Sequence, residues 1–279
     1  MKLYRYWAFA ERHITDAEGN SLLLRKWGGS RESQAAATQS AQQNVDALAA
    51  RLQQKADLRY AHEYTYSTRD LPEELVEEIS PTEGITRNRA GCLILNTEDI
   101  CIADIDFKKP NWLKRLFFKP VDQEAVHIAR LQSWLQERPN TGVRAYRTAA
   151  GLRYIFTHNR CQVNEKSLNI LAQLGSDKLY MTLCREQKSY RARLTPKTYR
   201  VAKKDYSDWV GIPTRYPRLD AAAEADFAKW TATYERQCRP YAVCRFIQHF
   251  GKTDMDASLA KVIELHDQRT EAYSAKPLA

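Results

Sequence analysis

The sequence predicts an α+β protein: an antiparallel sheet core with helices on one face, a strand–strand–helix unit before it and a helical region after it. Three observations predict this. Between residues 90 and 194 the residue pattern reads strand, strand, helix, strand, strand, helix, helix, strand, an order that suits an antiparallel sheet covered by helices. The first 56 residues read separately as two alternating aromatic stretches and an Ala- and Gln-rich helix. The chain has 279 residues and 43% hydrophobic content, enough for a buried core in one large domain or two small ones.

The elements follow in order. "KLYRYWAF" (2–9) and "SLLLRKW" (21–27) form a hairpin around the turn chemistry of "DAEGN" (16–20). Ser30 and Ser33 offer a cap for a helix over 33–56, with Val45, Leu48 and Leu52 on one face. "LPEELVEEI" (71–79) reads as a short amphipathic helix. "AGCLILN" (90–96) and "DICIADIDF" (99–107) are strands joined at Thr97-Glu98. Residues 121–138 form a helix with Val126, Ala129, Leu131 and Leu135 inward. Residues 143–148 and 152–158 make a hairpin across "AAG". A helix over 164–175 has Asn164 as its cap and Gly175 as its stop. A further helix over 177–188 and a strand over 189–194 complete the core. Beyond residue 220 the chain reads as mostly helical to about 271, ending in a frayed "SAKPLA" tail. The implied units are 1–56, 57–204 and 205–279.

Composition narrows the function. No run of about 18 apolar residues is present, so no membrane span is expected. The N-terminus lacks the long apolar stretch of a signal peptide, and six scattered cysteines fit reduced thiols in the cytoplasm. The net charge of +9 favours a polyanionic partner.

The strand "ICIADIDF" carries the sharpest feature. Alternation puts Ile100, Ile102, Asp104 and Asp106 on one face, with the aspartate Cα atoms about 6–7 Å apart. Two carboxylates so close repel unless a cation stands between them, and hard Mg²⁺ or Mn²⁺ suits such a pair. The other reading is a strand end facing solvent, or ion pairs with arginines of the next hairpin, where Arg144, Arg147 and Arg153 lie.

The stretch "TAAGLRYIF", following that acidic strand and the 121–138 helix, resembles the second motif of the archaeo-eukaryotic primase (primase-polymerase) superfamily. The resemblance covers roughly residues 90–200. It implies an RRM-like fold, metal binding by Asp104 and Asp106 as the catalytic pair, and nucleotidyl transfer. Arg153 stands where that family has a phosphate-contacting histidine. Arginine also grips phosphate but cannot release a proton. The family's third motif, an acid on a later strand, has no counterpart in "SYRARLTPK" (189–197), which instead supplies Arg191, Arg193 and Lys197. "ITRNRAG", "YRTAAGLR" and "RARLTPK" also resemble segments of uncharacterised bacterial proteins.

Residues 185–204 hold eight Lys or Arg and one acid, with Tyr190 and Tyr199 interleaved. Arg191 and Arg193 share one strand face. Such a segment suits phosphate contacts and base stacking, or is a solvated charged face. His158 ends the "YIFTH" strand as a further candidate contact. Cys238, Cys244 and His249 match no standard zinc spacing. No Walker A loop, dinucleotide glycine fingerprint or nucleophile signature is present.

The expected function is therefore nucleotide or nucleic-acid binding with metal-dependent nucleotidyl or phosphoryl transfer. The phosphate-binding set is Arg147, Arg153, His158, Arg191, Arg193 and Lys197, and the metal would be Mg or Mn on Asp104 and Asp106. The alternatives are a non-catalytic nucleic-acid-binding module that uses the aspartates structurally, and a protein-binding scaffold.

Overall fold

The computed structural model describes residues 3–15, 19, 21–53, 72–108, 121–201, 216–218 and 220–279. Apart from Gly19, the expected turn at 16–20 lies outside them, as does the helix end at 54–56.

The N-terminal unit forms as its pattern dictates. β1 (Tyr6–Thr15) and β2 (Ser21–Ser30) pair antiparallel over their full length. α1 (Gln34–Gln53) packs on them. The Ser33 hydroxyl accepts from the Ala36 amide at its start. Ile14, Leu24, Val45, Ala49 and Leu52 form a small separate core, with Leu48 at its margin. The unit touches the rest of the chain where the Trp7 indole donates to the Glu73 carbonyl at 3.1 Å.

Two open four-stranded antiparallel sheets follow. One has the order β3 (Glu74–Ser80), β4 (Glu83–Arg87), β5 (Leu93–Thr97), β9 (Tyr190–Arg193). The other has the order β10 (Cys244–Gly251), β7 (Gly142–Thr148), β8 (Gly151–Phe156), β6 (Ile102–Asp106). In the second, β6, α2 (Gln123–Gln136), β7 and β8 form a split βαβ unit with β8 between the two parallel strands, which is compatible with an RRM-like core. α3 (Glu165–Gln173), α4 (Lys178–Gln187) and short α5 (Thr198–Val201) surround β9, and α6 (Ala221–Cys238) and α7 (Ala257–Thr270) flank β10 in sequence. One continuous core joins both sheets, including Ile85, Leu95, Ile102, Ile105, Tyr146, Leu152 and Tyr190.

Several local expectations need correction. Residues 71–79 are not a helix; β3 pairs with β4, a strand the sequence reading missed. Short runs of apolar and acidic residues fit either period, and sheet pairing decides here. β5 and β6 are consecutive but enter different sheets, so they form no hairpin. On α2, Val126 and Ala129 face out, while Leu131 and Leu135 are buried with Trp134 partly covered. The stretch expected to be mostly helical contains β10, paired with β7. The 274–279 tail is pinned rather than frayed: the Ala242 amide donates to the Pro277 carbonyl, and the Ala279 amide to the Ala242 carbonyl.

The 143–158 hairpin, the Asn164 capping box, the Gly175 stop and the 177–188 helix are found as expected. Gly175 has φ +86°, a backbone conformation that favours glycine. Gly151 is required by proximity: a Cβ there would lie 1.8 Å from the Ile105 carbonyl oxygen. The hairpin turn can therefore press against the acidic strand.

Helices lie on both sides of the second sheet. The Tyr154 hydroxyl donates to the His127 carbonyl on α2. On the opposite face the His266 ring of α7 packs edge-on to Tyr146 at 5.0 Å. Among the described residues, no helix is long and apolar enough to cross a membrane.

Candidate functional site

β6 and β9 are edge strands of different sheets that come close to each other. Their backbones do not pair. Instead the segment before α4 fills the gap: the Asp177 amide and Ser176 hydroxyl both donate to the Asp104 carbonyl at 2.9 Å. The Tyr180 hydroxyl donates to the Ile102 carbonyl at 2.7 Å and accepts from the Arg191 amide at 3.3 Å. Asp177 is the N-cap of α4, its carboxylate accepting from the Tyr180 amide.

These elements enclose a cleft of about 190 Å³. Its lining includes three acids, Asp104, Asp106 and Asp177, and four cations, Arg153, Arg193, Lys197 and Arg200. Asp104 and Asp106 point to the same side of β6, as alternation requires. The Asp106 carboxyl is pushed above the usual range by partial desolvation, then by Asp104; Asp177 adds to this, while Lys197 and Arg193 oppose it. Two acids crowding a third is the electrostatic condition that a cation relieves.

Arg153 sits at the base. It pairs across the ladder with Asp104 and is only 3% exposed. Its Nη1 donates to the Arg193 carbonyl at 3.0 Å and lies 3.1 Å from His266 Nε2. Its Nε lies 3.7 Å from an Asp104 carboxylate oxygen, an ion pair but not a hydrogen bond. The Nε atoms of Arg153 and Arg193 are both buried and have no hydrogen-bond partner among the described residues. A buried guanidinium N–H without an acceptor is unfavourable, and both residues line the cleft.

Half of the expected phosphate contacts belong elsewhere. Arg191 shares a strand face with Arg193, as expected, and Tyr190 and Ala192 are buried on the other. Its guanidinium is nevertheless held by both carboxylate oxygens of Glu73, at 2.7 and 2.8 Å, and by Gln187. Arg147 faces away from the cleft: it pairs with Glu124, donates to the Gly151 carbonyl at 2.7 Å and lies over Phe107. It sits on β7, which β8 separates from β6. Arg144, also on β7, pairs with Asp267 at 2.8 Å. His158 lies past the opposite end of β8, buried, with Nδ1 at 3.0 Å from the Thr157 hydroxyl and Nε2 at 3.7 Å from Asp254. Among the arginines of the hairpin, only Arg153 pairs with a carboxylate of β6.

Asp177, Arg200 and His266 were missed. Asp177 reaches the cleft from a helix cap rather than from a strand. A cap position in "SDKLYM" was the available signal for Asp177. Arg200 stood inside the basic segment. His266 had no local signal, because its role arises from packing between α7 and β8.

A divalent ion fits this donor set in one sense. Among the described residues, no three His, Cys, Asp or Glu side chains converge closely enough to hold a metal alone. Mg²⁺, however, is commonly held by one or two carboxylates together with substrate phosphates, and Asp104 and Asp106 can supply that share. Cys238, Cys244 and His249 form no metal trio, and all described cysteines are free thiols.

No family model matches the chain, and neither a curated protein nor a solved structure does.

Proposed function

We propose that this cleft binds a nucleotide through its phosphates, and that Asp104 and Asp106 would hold the Mg²⁺ or Mn²⁺ that accompanies them. The observation that carries this reading is one small cleft lined by three carboxylates and four cations, two of which, Arg153 and Arg193, keep a buried Nε–H without an acceptor among the described residues. A polyphosphate accepts from Arg153 and Arg193, and Lys197 and Arg200 add charge at the rim. A bound cation would relieve the crowding among the acids. Nucleotidyl or phosphoryl transfer is the reaction this layout suits, since it depends on positioning and charge neutralisation. The resemblance of "IADIDF" and "TAAGLRYIF" to primase-polymerase motifs supports the same substrate class. A nucleic-acid strand is the second partner this reading implies.

A second reading has its own observation. The Asp104–Arg153 ion pair lets the arginine act as the resident counter-cation of Asp104. The chain is then a metal-independent nucleotide or nucleic-acid-binding module. Calorimetric titration with ATP, in Mn²⁺ and again in excess chelator, separates the two. Binding that requires Mn²⁺ supports the first reading, and equal affinity in chelator supports the second. No binding of ATP or of single-stranded nucleic acid in either condition contradicts both.

A further inference from the structure

Arg153 is a buried cation whose position is set from behind. Its carboxylate partner, Asp104, is at 3.7 Å without a hydrogen bond, so Asp104 does not fix its orientation. The contacts that do are the Arg193 carbonyl and His266 Nε2, both on Nη1. Guanidinium nitrogens only donate, so His266 Nε2 must accept. The ring proton then belongs on Nδ1, which lies 2.9 Å from Asp267 Oδ1 and donates to it. Asp267 is fixed in turn by Arg144 at 2.8 Å and by the Tyr273 hydroxyl at 3.3 Å. His266 is fully buried, and its tautomer is dictated from both sides.

We infer that His266 is a positioning residue of the cleft, whose neutral ring, locked by Asp267, holds the Arg153 guanidinium in place beside Asp104. The inference rests on the cleft being a phosphate site. Leucine at position 266 fills space but offers Nη1 no acceptor, so the guanidinium is free to turn fully onto Asp104. Glutamine offers both an acceptor for Arg153 and a donor for Asp267.

Two measurements test this. The first is ¹⁵N NMR of the unliganded protein. It is expected to show His266 protonated on Nδ1 alone, with Arg153 guanidinium signals in slow exchange. Protonation on Nε2, or freely rotating Arg153 signals, overturns the inference whatever the cleft binds. The second is ATP titration in Mn²⁺ of the unmodified protein, His266→Leu and His266→Gln. His266→Leu is expected to lose about tenfold or more in affinity, and His266→Gln to recover most of it. Equal affinity in all three overturns the positioning role. If His266→Leu fails to fold, His266→Gln and the NMR result still decide. An unmodified protein that binds no ATP refutes the cleft reading, and with it the role toward ligand, while the NMR separately decides whether His266 holds Arg153.

Discussion

Arg191 and Arg193 stand two residues apart on β9, on the same face, and have opposite surroundings. Arg191 is gripped by Glu73 and Gln187. Arg193 opens on the cleft with a buried Nε–H and no acceptor among the described residues. The same residue type on the same strand is thus a structural cation in one place and a candidate ligand contact in the other. Charge density along a sequence cannot make that distinction, because the carboxylate that claims Arg191 is 118 residues away. What matters is how many donors remain unused once the fold has closed.

The contrast predicts two different phenotypes. Arg191→Ala strands the Glu73 carboxylate, and both side chains are largely buried. Chemical denaturation is expected to show a loss of about 3–5 kcal/mol. Its ATP affinity, measured where it remains folded, should be unchanged. A stable Arg191→Ala variant that binds ATP poorly would reverse the assignment of the two arginines.

A smaller effect concerns pH and the support behind the cleft. Burial lowers His266 to about 4; Arg153 and Arg144 act in the same direction, and Asp267 opposes them. Below the ordinary value of 6.5 the unfolded chain takes up a proton that the folded chain refuses. Stability from this group is therefore complete above pH 6.5 and is lost as pH falls toward 4, at up to about 1.4 kcal/mol per pH unit. Urea melts across that window should show the slope, and His266→Gln should flatten it. An unchanged slope in the variant would assign the acid sensitivity to other groups.

Arg193→Ala should cost least in stability and act on binding. It leaves the β9 carbonyl that accepts from Arg153 in place, so a stability change under about 1 kcal/mol is expected. ATP affinity should fall by about tenfold, with a shallower dependence on salt. Comparison with Arg191→Ala under identical conditions sharpens the distinction most.

The sequence was most legible where local rules act alone. The Asn164 capping box, the Gly175 stop and the 143–158 hairpin each depend on neighbours within a few residues. Reading failed where partners are remote. β3 carries "ELVEEIS", which suits a helix until β4 offers it a ladder, and β10 is buried in a run that packing against β7 decides. The site divides in the same way. Asp104 and Asp106 could be placed together by alternation alone, and Lys197 and Arg193 by the basic segment. Arg147 could not be excluded without knowing that β8, not β7, adjoins β6, nor His158 without knowing that the cleft lies at the other end of β8. Asp177 is marked only as a helix cap, which does not say what it faces, and His266 enters through a helix packed on the sheet, for which no spacing rule exists.

The central claim is that Asp104 and Asp106 receive a cation rather than serve only as counter-ions for Arg153. The most direct test compares melting temperatures of the unmodified protein and of the Asp104→Asn, Asp106→Asn double variant, each with and without Mn²⁺. A ligand that binds the native state alone raises its melting temperature. The Asp106 carboxyl titrates above its ordinary range in the folded state, so its charge is a cost at neutral pH that asparagine removes. The account predicts a Mn²⁺-dependent rise in the unmodified protein, no rise in the double variant, and a metal-free double variant at least as stable as the unmodified protein. No response to Mn²⁺ in the unmodified protein, together with a large loss of stability in the double variant, would contradict it and leave the pair as the structural anion of Arg153.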